Sequence, residues 1–261
     1  MNRDERLNTL LEMVGRRDRI EVEETAKELR VSPATIRRDL DHLAGRQLLI
    51  RTRGGAVRSS VAYDLSLRYG AGNHAEEKRR IGEVAAQLVR RGMVVGLNGG
   101  TTTTEVGRAL AVRPEFNEST TVPALTVVTN ALNIAHELAV RQCIKIVTTG
   151  GVAGTGTFEL TGPLATPVLR EVRLDLAFIG VDALDAARGL YHGQEADAEV
   201  TRLLASQARE VVAVADSTKL GAFAFARVCA TTDVQMLITD TAATPTQIAA
   251  FETEGVQVLL A

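Results

Sequence analysis

Ser32-Pro33-Ala34-Thr35-Ile36-Arg37-Arg38-Asp39-Leu40 reads as the opening turns of an α-helix. Ser32 is a favourable N-cap, because its hydroxyl can accept from the free N–H groups of the first turn. Pro33 falls at the first helical position, where its missing N–H is no loss and its fixed φ suits the helix. Ile36, Leu40 and Leu43 then recur at helical spacing and can bury one face, which turns Thr35, Arg37, Arg38 and Asp41 outward. The face left to solvent is basic.

Upstream, Leu7, Leu10, Leu11 and Val14 mark a first amphipathic helix, expected to end at Gly15 and the charged turn Arg16-Arg17-Asp18. Val22, Ala26 and Leu29 mark a second, and Arg30-Val31 leaves only a tight turn before the Ser32 cap. Two helices so joined form a helix-turn-helix, whose second helix enters the major groove of DNA with its N-terminal residues near base edges. Downstream of Leu43 the chain turns through Gly45 into Leu48-Leu49-Ile50-Arg51-Thr52-Arg53-Gly54-Gly55-Ala56-Val57, a short hairpin wing. Ser32, Thr35, Arg37, Arg38, Arg51 and Arg53 are the candidate DNA contacts. Arg51 and Arg53 suit phosphates and would add salt dependence; Thr35, Arg37 and Arg38 suit sequence readout.

The charge balance agrees. Residues 1–58 hold 13 Lys+Arg and 10 Asp+Glu, a net +3, and the rest of the chain holds 17 and 22, a net −5. A basic head on an acidic body fits a nucleic-acid-binding module carried by another domain. The chain's 261 residues suffice for two separate cores. No apolar run approaches the ~18 residues that cross a bilayer, and the start Met1-Asn2-Arg3-Asp4-Glu5-Arg6 is not a signal peptide, so a cytoplasmic protein is expected. Cys143 and Cys229 lack metal spacing and are expected to be buried thiols. His42, His74, His136 and His192 are scattered without metal or triad spacing, so neither metal, cofactor nor catalytic residue is assigned, and only His192 is placed near a pocket.

From Arg58 to His74 the chain is polar and weakly patterned, which suggests a linker at 58–74 between a head at 1–57 and a body at 75–261. The body alternates helix and strand. Helices are expected from Glu76, through Val106 and Leu110, after an Asn130 cap, over Leu164–Val172, and from Glu195 to Glu210. Strands are expected at Met93–Leu97, Leu125–Thr129, Ile144–Thr148, Leu174–Val181, Val211–Ala215 and Met236–Thr239. Continuous apolar strands between helices imply a mostly parallel sheet covered on both faces, with ligands at the carboxyl ends of the strands. There, Asn98-Gly99-Gly100-Thr101-Thr102-Thr103 offers backbone N–H groups at a helix N-terminus together with hydroxyls, a fit for an anion. Lys219, the strong cation at another strand end, is a second candidate contact for the ligand's charge.

The run Val31–Leu40 followed by Arg51-Thr52-Arg53-Gly54-Gly55-Ala56 resembles the DeoR family of bacterial transcriptional regulators, with Arg53 where the family usually has histidine. The resemblance continues through Thr129-Asn130, Gly150-Gly151, Ile179-Gly180-Val181-Asp182-Ala183-Leu184-Asp185 and Asp216-Ser217-Thr218-Lys219-Leu220-Gly221. It implies a small α+β winged helix-turn-helix domain and an α/β effector domain similar to sugar-phosphate isomerases. It also implies a repressor of carbohydrate catabolism genes that binds a double-stranded operator as a homodimer or homotetramer and is released by a phosphorylated sugar. Asn130, Gly150, Gly151 and Asp182 then join Asn98–Thr103 and Lys219 as effector-site candidates. Two departures stand out: Asn98 replaces the family's aspartate in Asp-(Ser/Ala)-Gly-Thr-Thr, and Thr201 replaces the lysine of Glu-Ala-x-Val-Lys. Losing that lysine's charge-assisted bond predicts roughly ten- to hundredfold weaker binding of a phosphorylated ligand. The rival reading is a sugar-phosphate isomerase-like enzyme with a fused DNA-binding domain, using Asp182 and Asp185 as acid and base.

Overall fold

The structure is a computed structural model that describes every residue except 1–5, 8, 11, 12, 15, 16, 18, 46–48, 59–73, 117–121, 155 and 156. Leu11, Leu48 and nearly all of the expected linker lie outside the described residues. The chain divides into two compact units, residues 1–69 and 70–261.

In the first unit, the described residues between 6 and 14, and Arg17, are helical (α1), while Gly15, Arg16 and Asp18, where the sequence suggested its end, lie outside the described residues. Helix α1 is followed by β1 (Arg19–Glu21), α2 (Val22–Leu29), α3 (Pro33–Gly45), β2 (Leu49–Arg51) and β3 (Gly55–Arg58). The left-handed Arg30 closes α2, and Val31 N–H reaches back to the Ala26 carbonyl at 3.0 Å, which makes the turn into α3 short. Ser32 Oγ accepts from Thr35 N–H at 3.2 Å and so caps α3. Ile36, Leu40 and Leu43 bury against Leu10, Val14, Ile20, Val22 and Leu49. The wing hairpin gains a third strand, in the order β1-β3-β2. A Cβ on Gly55 would lie 1.8 Å from the Ile20 carbonyl oxygen, so the third strand is the reason a glycine stands there.

The second unit is built on seven parallel strands in the order β15-β14-β12-β9-β4-β5-β6. Their ranges are β4 Val94–Leu97, β5 Leu125–Thr129, β6 Ile144–Thr148, β9 Leu174–Ile179, β12 Ala208–Val214, β14 Met236–Thr239 and β15 Gln257–Leu260. Alternate side chains feed two cores. Val95, Leu97 and Val127 pack with Ile81, Val106, Leu110, Ile134 and Leu138 of α4 (Ala75–Gln87), α5 (Thr101–Val112) and α6 (Leu132–Ala139). On the other face Val128, Ala177, Ile179 and Ala213 pack with Leu169, Ala198, Leu204 and Phe251 of α7 (Thr166–Arg170), α8 (Glu195–Ser206) and α9 (Pro245–Thr253). At Gly96 a Cβ would meet Leu174 and Leu204 side chains at 2.6 and 3.1 Å, so the bare backbone there lets α8 lie close to β4.

Two antiparallel additions complete the unit: β7 (Val152–Ala153) with β8 (Leu160–Thr161), and a small sheet of β10 (Ala183–Asp185), β11 (Gly189–His192) and β13 (Ala226–Cys229). Several expected boundaries move. The helix expected to reach Glu210 stops at Ser206, because Ala208 already pairs with Leu174 of β9. The helix expected over Leu164–Val172 is confined to Thr166–Arg170. Cys143 is buried and Cys229 half-buried, both as free thiols. Among the described residues no helix is long and apolar enough to cross a membrane.

Candidate functional site

In the first unit, Arg37 and Arg38 are exposed on α3 while the opposite face is buried. Arg37 pairs with Glu23 of α2 at 3.1 Å, both side chains more than half exposed, a contact that water screens. Thr35 shares a 2.9 Å hydroxyl contact with Ser32. Arg53 is exposed at the tip of the wing. Arg51 is placed differently from its expected free state, since its Nε donates to Asp41 at 2.6 Å and its Nη1 to the Gly55 carbonyl. It braces the wing against α3. The helix also depends on a residue that patterning alone does not single out: Asp39 is buried and accepts from Arg6 Nε at 2.5 Å, tying α3 to α1.

In the second unit, strands β4, β5 and β6 run outward to one side while β9, β12, β14 and β15 run to the other, so the order reverses between β4 and β9. Such a reversal opens a crevice at the carboxyl ends of the two central strands. The side chain that spans it is Asn98, just after β4 and fully buried. Asn98 Nδ2 donates to the Gly180 carbonyl at 2.8 Å, and Gly180 N–H donates to Asn98 Oδ1 at 2.8 Å, a reciprocal pair between the loops that follow β4 and β9. The same Nδ2 lies 3.2 Å from Thr201 Oγ1 on α8, and Thr201 Oγ1 lies 3.1 Å from His192 Nε2 on β11. His192 Nδ1 in turn faces Asp182 Oδ2 at 3.5 Å, and that oxygen accepts from Gly193 N–H at 2.8 Å. His192, noticed in the sequence only as a possible neighbour of a pocket, is buried at the centre of this chain of contacts.

The glycine turn before α5 takes the form its sequence suggested. Gly100 has φ +128°, a conformation open to glycine, and the first intrahelical bond is Thr104 N–H to Gly100 O at 3.0 Å, which leaves the amides of 101–103 in the first turn. The hydroxyls of Thr103 and Thr104 are already given to the Gly100 carbonyl, at 3.1 and 2.7 Å, so backbone N–H groups rather than the Thr103 hydroxyl face any ligand here. Asn130 does not cap a helix: α6 begins after Ala131, and Asn130 Nδ2 instead contacts the Leu160 carbonyl at 3.3 Å and Glu159 Oε2 at 3.5 Å. Asn130 Oδ1, Thr149 Oγ1 and Thr239 Oγ1 sit at or just beyond the ends of β5, β6 and β14, buried and without partners. Of these, Asn130 Oδ1 and Thr149 Oγ1 follow neighbouring strands, and unsatisfied polar atoms so placed suit a polar ligand. Gly150 and Gly151 serve close approach, since Cβ atoms there would lie 2.6 Å from the Leu164 carbonyl oxygen and 2.7 Å from that of Thr161.

The charges at this edge are unequal in state. The His192 contact, the Gly193 N–H and the nearby Lys219 charge hold Asp182 down at about 2 in spite of partial burial. Burial and the adjacent Asp197 raise Glu159 to about 7. Burial also raises Asp197 above its ordinary value. Asp185 is turned away from such work, its Oδ1 accepting from Ala187 and Arg188 N–H at 3.1 and 2.9 Å within its own turn. A cleft of about 650 Å³, lined by Arg202, Arg209, Arg227 and Cys229, opens near the first residues of β12 and contains none of the strand-end residues.

Residues 6–61 match the family model of a DeoR-like helix-turn-helix domain, and residues 73–241 match that of the DeoR C terminal sensor domain. The chain is 34% identical over 237 residues to the HTH-type transcriptional regulator GlpR of Haloferax volcanii, covering 90% of this chain and 89% of that protein. It is 29% identical over 240 residues to the glycerol-3-phosphate regulon repressor of Escherichia coli K12, covering 92% of each. Among solved structures, ribose 5-phosphate isomerase A of Methanocaldococcus jannaschii matches 56% of this chain and 55% of that one, at 22% identity and a TM-score of 0.42.

Proposed function

The chain belongs to the DeoR family of transcriptional regulators, and from that premise we propose that it represses genes of carbohydrate catabolism until a phosphorylated sugar or related metabolite releases it from DNA. The observation that carries the reading is α3, whose buried face leaves Arg37 and Arg38 outward at the start of the second helix of a helix-turn-helix. Thr35, Arg37 and Arg38 read base edges; Ser32 holds the cap; Arg53 and Arg51 meet phosphates, Arg51 after exchanging its Asp41 contact. The glycerol-3-phosphate in the name of one relative supports a small phosphorylated effector. Asn98, Gly99, Gly100, Thr101, Thr102, Thr103, Asn130, Gly150, Gly151, Asp182 and Lys219 form or shape its site. The head spans 1–57, the linker 58–74 and the sensor 75–261. The protein acts in the cytoplasm as a homodimer or homotetramer on paired half-sites, without cofactor and without turnover of the sugar.

The test is fluorescence anisotropy on a duplex that the protein itself selects from a random-sequence pool. Arg37→Ala with Arg38→Ala should remove sequence preference and leave thermal unfolding of the sensor unchanged, whereas preserved preference would refute the recognition-helix assignment. Arg53→Ala should weaken all duplexes alike and lower the salt slope by about one. For the effector, phosphorylated sugars should raise the melting temperature more than their unphosphorylated counterparts, and Thr101→Asp should erase the difference.

A further inference from the structure

Glu159 enters neither the sequence motifs nor the family resemblance, yet it lies against the glycine turn. It precedes β8, is 7% exposed, and is held through its backbone by the Gly154 N–H at 2.8 Å. A Cβ built on Gly99 would sit 2.1 Å from Glu159 Cγ and 2.5 Å from its Oε1, so the carboxyl group packs directly on the bare backbone that opens the turn. Its one side-chain hydrogen bond is the 3.5 Å contact from Asn130 Nδ2, and no cation pairs with it among the described residues. The Oδ1 of that same Asn130 amide is buried without a partner. Facing Glu159 are Asp197 from α8, Asp182 from the turn after β9, His192 from β11 and Asn130 from the end of β5. Two of these four are acids. An anionic ligand on the Gly99–Thr103 turn would therefore meet a carboxyl group that has no compensating charge of its own.

We infer that Glu159 determines what this site admits: an anion seats on the turn only when Glu159 is the neutral acid, so a ligand that meets the carboxylate form takes up one proton from solvent as it binds. The inference rests on the reading that the Gly99–Thr103 turn takes the effector's anionic group. The neutral acid turns from a repelling acceptor into an O–H donor, able to bond the ligand. Because burial brings the group to about 7, both forms are populated at neutral pH and the coupling is visible in an accessible range.

The experiment is isothermal titration of the full chain with glucose 6-sulfate, whose single negative charge does not titrate between pH 6 and 8. With the carboxyl group near 7, the dissociation constant of the wild type should rise about tenfold from pH 6 to pH 8. In Glu159→Gln the rise should be less than twofold. Wild-type titrations at pH 7 in two buffers of different ionisation enthalpy should show uptake of about half a proton, a measurement that does not depend on the variant folding. An equal rise in Glu159→Gln would assign the proton to another group and overturn the inference. So would the lack of any rise or proton uptake in a wild type that binds. No binding at either pH, or binding undiminished by Thr101→Asp, overturns the anion-site reading itself and the inference with it.

Discussion

Asn98→Ala should loosen the sensor unit out of proportion to the two carbon-bound polar atoms it removes. Asn98 is wholly buried, and its amide makes a reciprocal 2.8 Å pair with the N–H and carbonyl of Gly180, itself buried beyond the end of β9. Alanine leaves both backbone groups without that partner. A buried donor or acceptor so abandoned costs ~1–3 kcal/mol, so the two together give roughly 2–6 kcal/mol, with the lower end reached if water fills the gap. The Thr201 hydroxyl keeps its 3.1 Å contact with His192 and adds little. For a unit of this size, ~2–4 °C per kcal/mol places the expected fall in melting temperature at roughly 4–24 °C. Differential scanning calorimetry of the full chain would measure it on the sensor's own transition. Asn98→Asp provides the internal check: it keeps an acceptor for Gly180 N–H but sets a carboxylate against the Gly180 carbonyl, so it should destabilise at pH 7 and recover partly near pH 4, where the acid can donate. A loss below about 1 kcal/mol for the alanine variant would show that the two loops are not tied through this amide.

Three further outcomes follow from other contacts. Asp39→Ala strands the Arg6 guanidinium in a part-buried position, and the ~3–5 kcal/mol typical of a broken buried pair should unfold much of the small head. Amide exchange confined to residues of that unit would report it, and an unchanged exchange pattern would refute it. Glu159 titrates in the folded chain near 7, above its ordinary 4.5, so its contribution to stability falls as pH rises between those values. Urea unfolding should find Glu159→Gln more stable than wild type at pH 8 by up to roughly 3 kcal/mol and near-equal at pH 4; equal gaps at both pH values would show that this titration is not involved. Asn98→Asp and Thr201→Lys, each burying a lone charge, should destabilise singly, and a double-mutant cycle should return at least about 1 kcal/mol of coupling in the double variant. Additive losses would refute a shared site.

Local chemistry made much of this fold legible. The Ser32 cap and the Ile36, Leu40, Leu43 spacing located α3, and short, largely apolar and β-branched runs gave β5, β6 and β14 to the residue. What was not legible depends on partners far along the chain. β1 is Arg-Ile-Glu, a triplet with no strand pattern, and exists because its backbone pairs with β3. The start of β12 carries Arg209 and Glu210 at an exposed edge, which continues a helical pattern until pairing with β9 overrides it. Asn130 has the chemistry of a cap, but the approach of Leu160 claims its amide first. Arg51 has the chemistry of a phosphate contact, and Asp41 is near enough to hold it. Glu159 gave no signal at all, being a single acid in an unpatterned stretch whose importance comes from lying on Gly99, sixty residues earlier in the sequence.

The two departures from the family pattern are one feature. Read along the chain, Thr201 looks like the loss of a cation and predicts weaker binding of a phosphorylated ligand, while Asn98 looks like a separate loss of an acid. In the folded chain Asn98 Nδ2 and Thr201 Oγ1 are 3.2 Å apart, both fully buried. An aspartate and a lysine in those positions would neutralise one another; an asparagine and a threonine replace that pair by a neutral hydrogen bond. The exchange removes one negative and one positive charge together, so the net charge presented to a ligand is conserved and the expected ten- to hundredfold penalty does not follow from Thr201 alone. A buried ion pair contributes little net stability over a well-made neutral substitute. What the exchange does alter is flexibility of charge: a lysine can leave its partner and follow a ligand, whereas Thr201 is fixed between Asn98 and His192. On the function proposed above, recognition of an anion would rest on the first-turn amides of α5 and on Lys219, with the protonation of Glu159 as the adjustable charge at this edge of the sheet.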